Sequence, residues 1–474
     1  MTPSRDAAID DILSIRQGRL FVEEIPAEDL ARRFGTPIYV ISENGLRRRV
    51  RKFFHSFQER WPEGPVHILP SIKANFSLAL RHILTQEGTG CDTFGLPELY
   101  AALQSHVPPE LISVNGSSKD RPLVEQALRA GARITLDSPR EIALVREVAR
   151  ELHLRARVRF RLRPLYKDLD LPSDFHDEEV SIREAAQAYK PGIPTEALLT
   201  LGPETIAAPE LEVTGVMVHL GRHSADLEVW RRMTKSVGEL IGELHHAWDG
   251  WEPHEIDLGG GFAAPRDPTA RATLRGSRRP TGSRAPAIEE YAQVLTDGLR
   301  NALTRAGIRT EGKILEVEPG RSLYADVGLH LATIRNIKSQ TGTAPRTWVE
   351  TDTTEMFLLD TLIEKNRWTV VVVEKAADPP ALTADVVGIS CGFDVIVPDA
   401  QLPEVTAGDR IAFLDTGAYQ DATAANFNAM PRPATILING TEAELIKRAE
   451  TIEDVFRRDV VPARLQIAPP KAEP

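Results

Sequence analysis

The sequence predicts an α/β fold, a (β/α)8 barrel of the TIM type accompanied by an all-β domain. Three observations carry this. Short apolar runs bounded by turn residues alternate with amphipathic helical stretches eight times between residues 66 and 318. Beyond Glu318 the texture changes to β-branched runs separated by turns. The 474-residue length leaves room for one large domain and a smaller one. An open doubly wound sheet is the runner-up for the alternating part.

The opening segment carries strand signals of its own, Leu20 to Val22 and Pro37 to Ile41, and these are expected to join the C-terminal strands. The barrel strands are read at Val66 to Ile72, Thr89 to Phe94, Leu111 to Asn115, Ala132 to Asp137, Val158 to Arg163, Thr214 to His219, Glu255 to Leu258 and Lys313 to Glu318. Helices between them are read at Ser77 to Gln86, Pro97 to Gln104, Arg121 to Ala130, Pro139 to Leu152, Leu227 to Ala247 and Ile288 to Ala306. Two stretches break the rhythm. Leu165 to Glu179 opens a long polar connection reaching about Glu212, read as an excursion at the barrel mouth. Arg266 to Arg284 holds six arginines among Pro, Gly, Ser and Thr, a composition that buries no core and reads as a solvated loop or an anion-binding lid. Later strands are read at Leu329 to Ile337, Thr369 to Glu374, Arg410 to Leu414 and Ala434 to Ile438. The resulting division is a barrel over residues 43–320 and a β domain made of residues 1–42 with 321–474.

Composition narrows the function classes. With 42% apolar and 26% charged residues the chain is an ordinary globular one. A net charge of −11 repels phosphate backbones and anionic lipid, so nucleic acid is not an expected partner. No apolar run approaches the ~20 residues of a bilayer helix. The N-terminus mixes Arg with Asp, so an unprocessed cytoplasmic chain is expected. Two cysteines, Cys91 and Cys391, with no C-x-x-C spacing, exclude a disulfide framework and a structural zinc site.

Working residues of such barrels sit at the C-terminal ends of the strands. Those ends present Lys73, Asp92, Asn115, Asp137, Arg161, His219, Gly259-Gly260-Gly261, and Glu318 with Gly320 and Arg321 beyond. A lysine ending a buried strand loses hydration, which lowers its pKa and favours a neutral amine suited to a Schiff base. Three successive glycines let backbone N–H groups approach a phosphate. They lack the G-x-G-x-x-G pattern of dinucleotide sites. Glu318 can hold a ring nitrogen protonated while the Arg321 fork takes a phosphate oxygen. Together these are the parts a pyridoxal phosphate site requires. His219 and His223 have i, i+4 spacing but leave a strand into a loop, so no metal is expected there.

Eight short motifs in order carry a family resemblance: Phe34-Gly-Thr-Pro-Ile-Tyr-Val, Ser71-Ile-Lys-Ala-Asn75, Gly88-Thr-Gly-Cys-Asp92 with Glu98 following, Val218-His-Leu-Gly221, Asp257-Leu-Gly-Gly-Gly261, Glu318-Pro-Gly-Arg321, Cys391 with Asp394, and Asp415-Thr-Gly-Ala-Tyr419. With these the chain resembles the fold type III, alanine-racemase-like pyridoxal-phosphate decarboxylases that act on diaminopimelate, ornithine and lysine. The resemblance implies that Lys73 carries the cofactor, His219 lies against its ring, and Gly259, Gly260, Gly261 and Tyr419 stand near the phosphate. It also implies that Glu318 and Arg321 hold the ring and phosphate, and that Cys391 protonates the carbanion from across a homodimer interface. The implied reaction is loss of the α-carboxylate of a small amino acid, or amino-acid-derived substrate, as CO2.

Departures from the family pattern concern the substrate side chain. Gly392 follows the cysteine where the family places an acidic residue, and Asp394 is the neighbour that could take over. Arg222 stands where a serine is common and favours an anionic group. Asp352 is the one match to the family's D-G loop within Glu350 to Trp368. The expectation is a decarboxylase with altered side-chain recognition. The rival readings are a racemase on the same barrel and a non-catalytic, decarboxylase-like regulatory subunit.

Overall fold

In the computed structural model of the chain, residues 7–170, 181–221, 225–266, 285–364 and 366–466 are described. Eight parallel strands form the barrel: Val66–Ile68, Cys91–Thr93, Ile112–Val114, Arg133–Leu136, Ala156–Arg161, Leu211–Met217, Glu255–Asp257 and Ile314–Val317. The last strand pairs with the first in parallel, and a bridge between Ser71 and Asp92 closes the remaining seam between the first and second strands. Six of the strands are shorter than the apolar runs that announce them, because residues past the strand end form the mouth; Ala156–Arg161 and Leu211–Met217 begin and end earlier than read, the first equal in length to its predicted run and the second longer.

Helices return the chain outside the barrel, and their starts are fixed by local chemistry. Asp120 and Ser138 accept hydrogen bonds from the N–H groups of Leu123 and Glu141, capping the helices Arg121–Ala130 and Pro139–Leu152, both with Pro in the first turn. Asp226 caps Leu227–Ala247 in the same way. Three helices depart from the sequence reading. The connection read as a polar excursion contains Ile182–Ala188 and Thr195–Ala207, the second packing on the Leu211–Met217 strand. Ahead of the first strand runs Glu43–Arg60, which buries Leu46, Val50, Phe53 and Phe57 along one face.

The β domain is built on Gly328–Gln340. Ile38–Ser42 pairs antiparallel with it on one side and parallel with Ala434–Asn439 on the other, so this N-terminal strand sits inside a sheet otherwise made from the C-terminal part of the chain. Arg19–Val22, expected to join the same strands, pairs instead with its chain neighbours Leu13–Arg16 and Ile25–Pro26 in a separate four-stranded sheet. Arg346–Thr351, Leu382–Val387, Val395–Leu402 and Glu442–Lys447 belong to the same sheet and were not read from the sequence. The domain leans on the barrel mouth: Tyr419 N–H donates to Ala74 C=O at 2.7 Å and Asn75 Nδ2 to Gly417 C=O at 3.1 Å. Among the described residues no helix is long and apolar enough to cross a membrane.

Barrel interiors are usually filled with branched apolar side chains. Here the inward positions of several strands are charged. Arg133 donates to Glu255 and Glu316, and Arg159 to Asp257 and Glu316, at 2.5–2.7 Å. Thr135, Ser113 and Thr214 supply further partners. The outward residues Ile134, Val158, Phe160 and Ile256 form the apolar layer under the helices.

Candidate active site

Past Ile68 the chain turns into the short 3-10 segment Ile72–Ala74, which sets Lys73 in the mouth. Its Nζ lies 3.7 Å from Asp92 Oδ2, and Ser71 Oγ donates to that same oxygen at 2.6 Å. Asn115 Nδ2 donates to Asp92 Oδ1 at 2.8 Å and to Glu318 Oε1 at 2.5 Å, so one polar chain crosses the rim from Lys73 to Glu318. Burial works against the charge on Lys73, but the Asp92 carboxylate, then Tyr419 and Glu318, outweigh it and hold the amine protonated above the usual lysine range. This overturns the expected lowering of the Lys73 pKa: desolvation acts as foreseen, and a facing carboxylate wins. Burial likewise opposes charge on Asp92, and Lys73 with the Ser71 and Asn115 hydrogen bonds still keeps it below the usual carboxylate range.

His219 Nδ1 accepts the Gly260 N–H at 3.3 Å. Burial, reinforced by the charges of Lys73 and Arg161, pushes this imidazole down to about 3, so it is neutral at physiological pH. Arg161 Nη1 donates to the Asn115 carbonyl at 3.0 Å, and its Nε stands 3.7 Å from Asp137. The glycine run is a steric requirement. A Cβ at Gly260 would lie 2.1 Å from the Glu318 carbonyl oxygen, and one at Gly261, whose φ is +100°, would lie 2.0 Å from the Gly221 carbonyl oxygen.

Glu318 is buried, and burial together with the neighbouring charges of Asp257 and Asp92 holds its carboxyl well above the usual range. Arg321 pairs with Asp360 at 2.7 Å, and its guanidinium lies 4.7 Å from the centre of the Tyr419 ring. Tyr419 is held at φ +68°, an uncommon conformation for a tyrosine, which the bond to the Ala74 carbonyl fixes. Lys73, His219, Glu318, Arg321 and Tyr419 line a single cavity of about 290 Å³, whose outer wall carries Asp360 and Glu364.

Other sequence-named residues lie elsewhere. Asp352 accepts from Thr36 Oγ1 at 2.6 Å and Thr333 N–H at 2.8 Å inside the β domain. Asp394 takes the N–H groups of Ser390 and Glu355, both at 2.6 Å, and the Thr354 hydroxyl, so it ties down its own loop. Neither is among the residues that line the cavity. Cys391 is exposed on that loop, its N–H donating to Asn428 Oδ1 and its Sγ accepting from Asn428 Nδ2 at 3.3 Å. Arg222 and His223 lie outside the described residues, as does the arginine-rich stretch after Arg266. Arg266 itself bridges Asp415 and Asp10. Sequence reasoning missed Asp360, Arg159 and Asp257. The i, i+2 alternation of charge in Arg157-Val-Arg-Phe-Arg161 and Glu255-Ile-Asp257, on strands read as buried, was the available signal for the last two.

The donor set fits pyridoxal phosphate: an amine for its aldehyde, a carboxyl for its ring nitrogen, a neutral imidazole for its ring face, and, lining the same cavity, the side-chain-free Gly221 and Gly261 with the Arg321 guanidinium for its phosphate. A closed barrel with these groups at its carboxyl mouth and a β domain leaning on them defines a barrel enzyme built around that cofactor. Comparison with known proteins agrees. Residues 46–325 match the family described as pyridoxal-dependent decarboxylase, pyridoxal binding domain. The chain is 28% identical to the diaminopimelate decarboxylase of Methanothermobacter thermautotrophicus, over 95% of this chain and 97% of that one. It is 29% identical to that of Methanocaldococcus jannaschii, over 96% and 98%. The crystal structure of the M. jannaschii enzyme superposes with a TM-score of 0.84 at 27% identity, covering 96% of this chain and 99% of that one. The chain belongs to the pyridoxal-dependent decarboxylase family, of fold type III. It is a pyridoxal-phosphate-dependent amino-acid decarboxylase, a carboxy-lyase, and the racemase and regulatory-subunit readings are not favoured.

Proposed function

We propose that Lys73 is the residue that bonds the cofactor, and that the substrate is an α-amino acid whose side chain ends in a cationic nitrogen. One observation carries the reading: Lys73, His219, Glu318, Arg321 and Tyr419 converge on one cavity whose outer wall presents the carboxylates Asp360 and Glu364. When bound, pyridoxal phosphate supplies an aldehyde that condenses with amines and a ring that accepts the electron pair left when CO2 departs.

The chain's own groups do the rest. Asp92 pairs with the Lys73 ammonium and fixes where the amine points. His219, neutral and held by Gly260, offers a flat apolar face that adds no competing charge. Gly259, Gly260, Gly261, Gly320, Arg321 and Tyr419 bind the anionic end, and Arg161 fixes the rim through the Asn115 carbonyl. Glu318 governs the proton at the ring nitrogen. A cationic side chain calls for a facing carboxylate, and with Gly392 after the cysteine that task falls to Glu364 of the cavity lining, since Asp360 is taken up by Arg321 and Gln420.

Cys391 acts as proton donor to the partner's cavity in a homodimer with shared active sites. Two features support this: its thiol faces outward, and its loop exposes Ile389 and Phe393, the latter 99% accessible, an apolar surface that a partner would cover. Unpaired cysteines and an amino-acid substrate go with a cytoplasmic location. The functional division remains a barrel over residues 43–320 and a β domain from 1–42 and 321–474.

The test is CO2 release from a panel containing meso-diaminopimelate, L-lysine, L-ornithine, L-arginine and L-glutamate. Release from a member with a distal cation, and none from glutamate, is expected. Release from glutamate alone would overturn the substrate class.

A further inference from the structure

Glu318 does not stand alone beneath the cavity. Its carboxyl and that of Asp257 are both buried and stand against the same nitrogen, Arg159 Nη2, and two buried carboxyls so placed do not both ionise. Directly below lies Arg159, wholly buried, which reaches the two members unequally: Nη2 is 2.5 Å from Asp257 Oδ2 and 3.7 Å from Glu318 Oε1. Its other nitrogens are committed to Glu316 at 2.5 Å and to Thr135 Oγ1 at 2.8 Å, so the fork cannot swing toward Glu318. Glu316 is anchored in turn by Arg133 at 2.6 Å and His67 at 3.0 Å. Asp257 also accepts the Gly259 N–H at 2.8 Å. Arg159 and the Gly259 N–H favour the ionised form of Asp257, against burial and the nearby Glu316 charge, while Glu318 faces the cavity.

We propose that Arg159 is a positioning residue of the reaction: by clamping Asp257 as the ionised member, it leaves the pair's single proton on Glu318, at the cavity surface and ready for the ring nitrogen of the cofactor. Transfer breaks the Glu318 O–H bond, forms the ring N–H bond, and leaves a Glu318 carboxylate that Asn115 Nδ2 already contacts at 2.5 Å. Atoms and charge balance without solvent entering the barrel. The proton affinities run the same way. Burial raises both carboxyls, and Arg159, which lies nearer to Asp257, opposes the rise there more strongly. The destination of the proton rests on the cofactor reading above; the assignment of the proton to Glu318 by Arg159 does not.

Infrared spectra of the full chain, with aspartate or glutamate carboxyls ¹³C-labelled, resolve the two groups by the protonated C=O stretch. Without cofactor, and in a Glu98→Gln background that removes the other raised glutamate carboxyl near the mouth, a band sensitive to the glutamate label and absent in Glu318→Gln is expected. In Arg159→Met a second band, sensitive to the aspartate label, appears, and Arg159→Lys, which restores the charge, removes it again. Should Arg159→Met not fold, Asp257→Asn serves: its amide donates to Glu318, so the glutamate band disappears. A parent band that follows the aspartate label, or an Arg159→Met spectrum unchanged from the parent, would overturn the proposal, as would persistence of the glutamate band in Asp257→Asn. Adding pyridoxal phosphate separates the two claims. Loss of the glutamate band supports transfer to the ring. Retention of the band while cofactor is bound sinks the transfer, whereas failure to bind cofactor at all sinks the cofactor reading and leaves the Arg159 comparison intact.

Discussion

Lys73 and Asp92 face each other across the seam that closes the barrel, 3.7 Å apart, with Ser71 bonded to the same carboxylate oxygen. The pairing fixes where the amine points and keeps it charged until a cofactor arrives. Asp92→Asn removes the charge and keeps the shape, so the Lys73 pKa falls. Each unit of that fall gives about ten times more neutral amine at a fixed pH. The pH profile of pyridoxal phosphate association, followed by its absorbance, is expected to shift to lower pH. A shift to higher pH, or none, would contradict the role given to Asp92.

Burial, and next the charge of Asp92, lift the Glu98 carboxyl from 4.5 to about 7. The folded state therefore binds more protons than the unfolded one between those values. Stability from this group is fully present below about 4.5 and declines as pH rises toward 7. Thermal unfolding of the cofactor-free protein is expected to show this decline, and Glu98→Gln to flatten it. Equal pH slopes in parent and variant would rule out a displaced carboxyl.

Glu316 Oε2 takes both Arg133 at 2.6 Å and Arg159 at 2.5 Å. Removing one partner of a buried charge network leaves the others uncompensated, a loss of about 3–5 kcal/mol. Urea unfolding of Glu316→Leu should show a loss of that order, with Glu316→Gln losing less because an amide oxygen still accepts. A loss below about 1 kcal/mol in Glu316→Leu would mean that the charged floor contributes no cohesion.

Cys391→Ala should leave cofactor binding unchanged while slowing product formation, by the ~10²–10⁴-fold that a general acid contributes, or diverting it to a transaminated by-product. Co-assembling this variant with Lys73→Ala tests where the thiol acts. Mixed dimers contain one site with both residues intact only if the cysteine crosses the interface, so recovered turnover is expected. Clean product at the parent rate from Cys391→Ala alone would remove the thiol from the reaction.

Much of this architecture is written locally. The helices Arg121–Ala130 and Pro139–Leu152 are read to the residue, because Asp or Ser caps, a first-turn proline and a regular apolar stripe agree. The Glu43–Arg60 helix carried the same stripe in Leu46, Val50, Phe53 and Phe57 and was passed over among its arginines. Strand-end logic found Lys73, Asp92, His219 and Glu318, since parallel strands deliver their last residues to one rim. It failed where tertiary contacts decide. Nothing in the one-dimensional pattern says that Arg321 meets Asp360, which arrives from the β domain. Arg159 looks like a surface residue until its strand is wrapped into a barrel, where only the facing Asp257 and Glu316 explain its burial. The lysine's proton affinity depends in the same way on Asp92, brought from the second strand.

The most direct test of the account is borohydride reduction of the full chain incubated with pyridoxal phosphate, followed by peptide mass analysis. The account expects the reduced cofactor on the peptide containing Lys73 and its absence in Lys73→Ala. An unmodified Lys73, or a specific adduct on another lysine in its place, would contradict it.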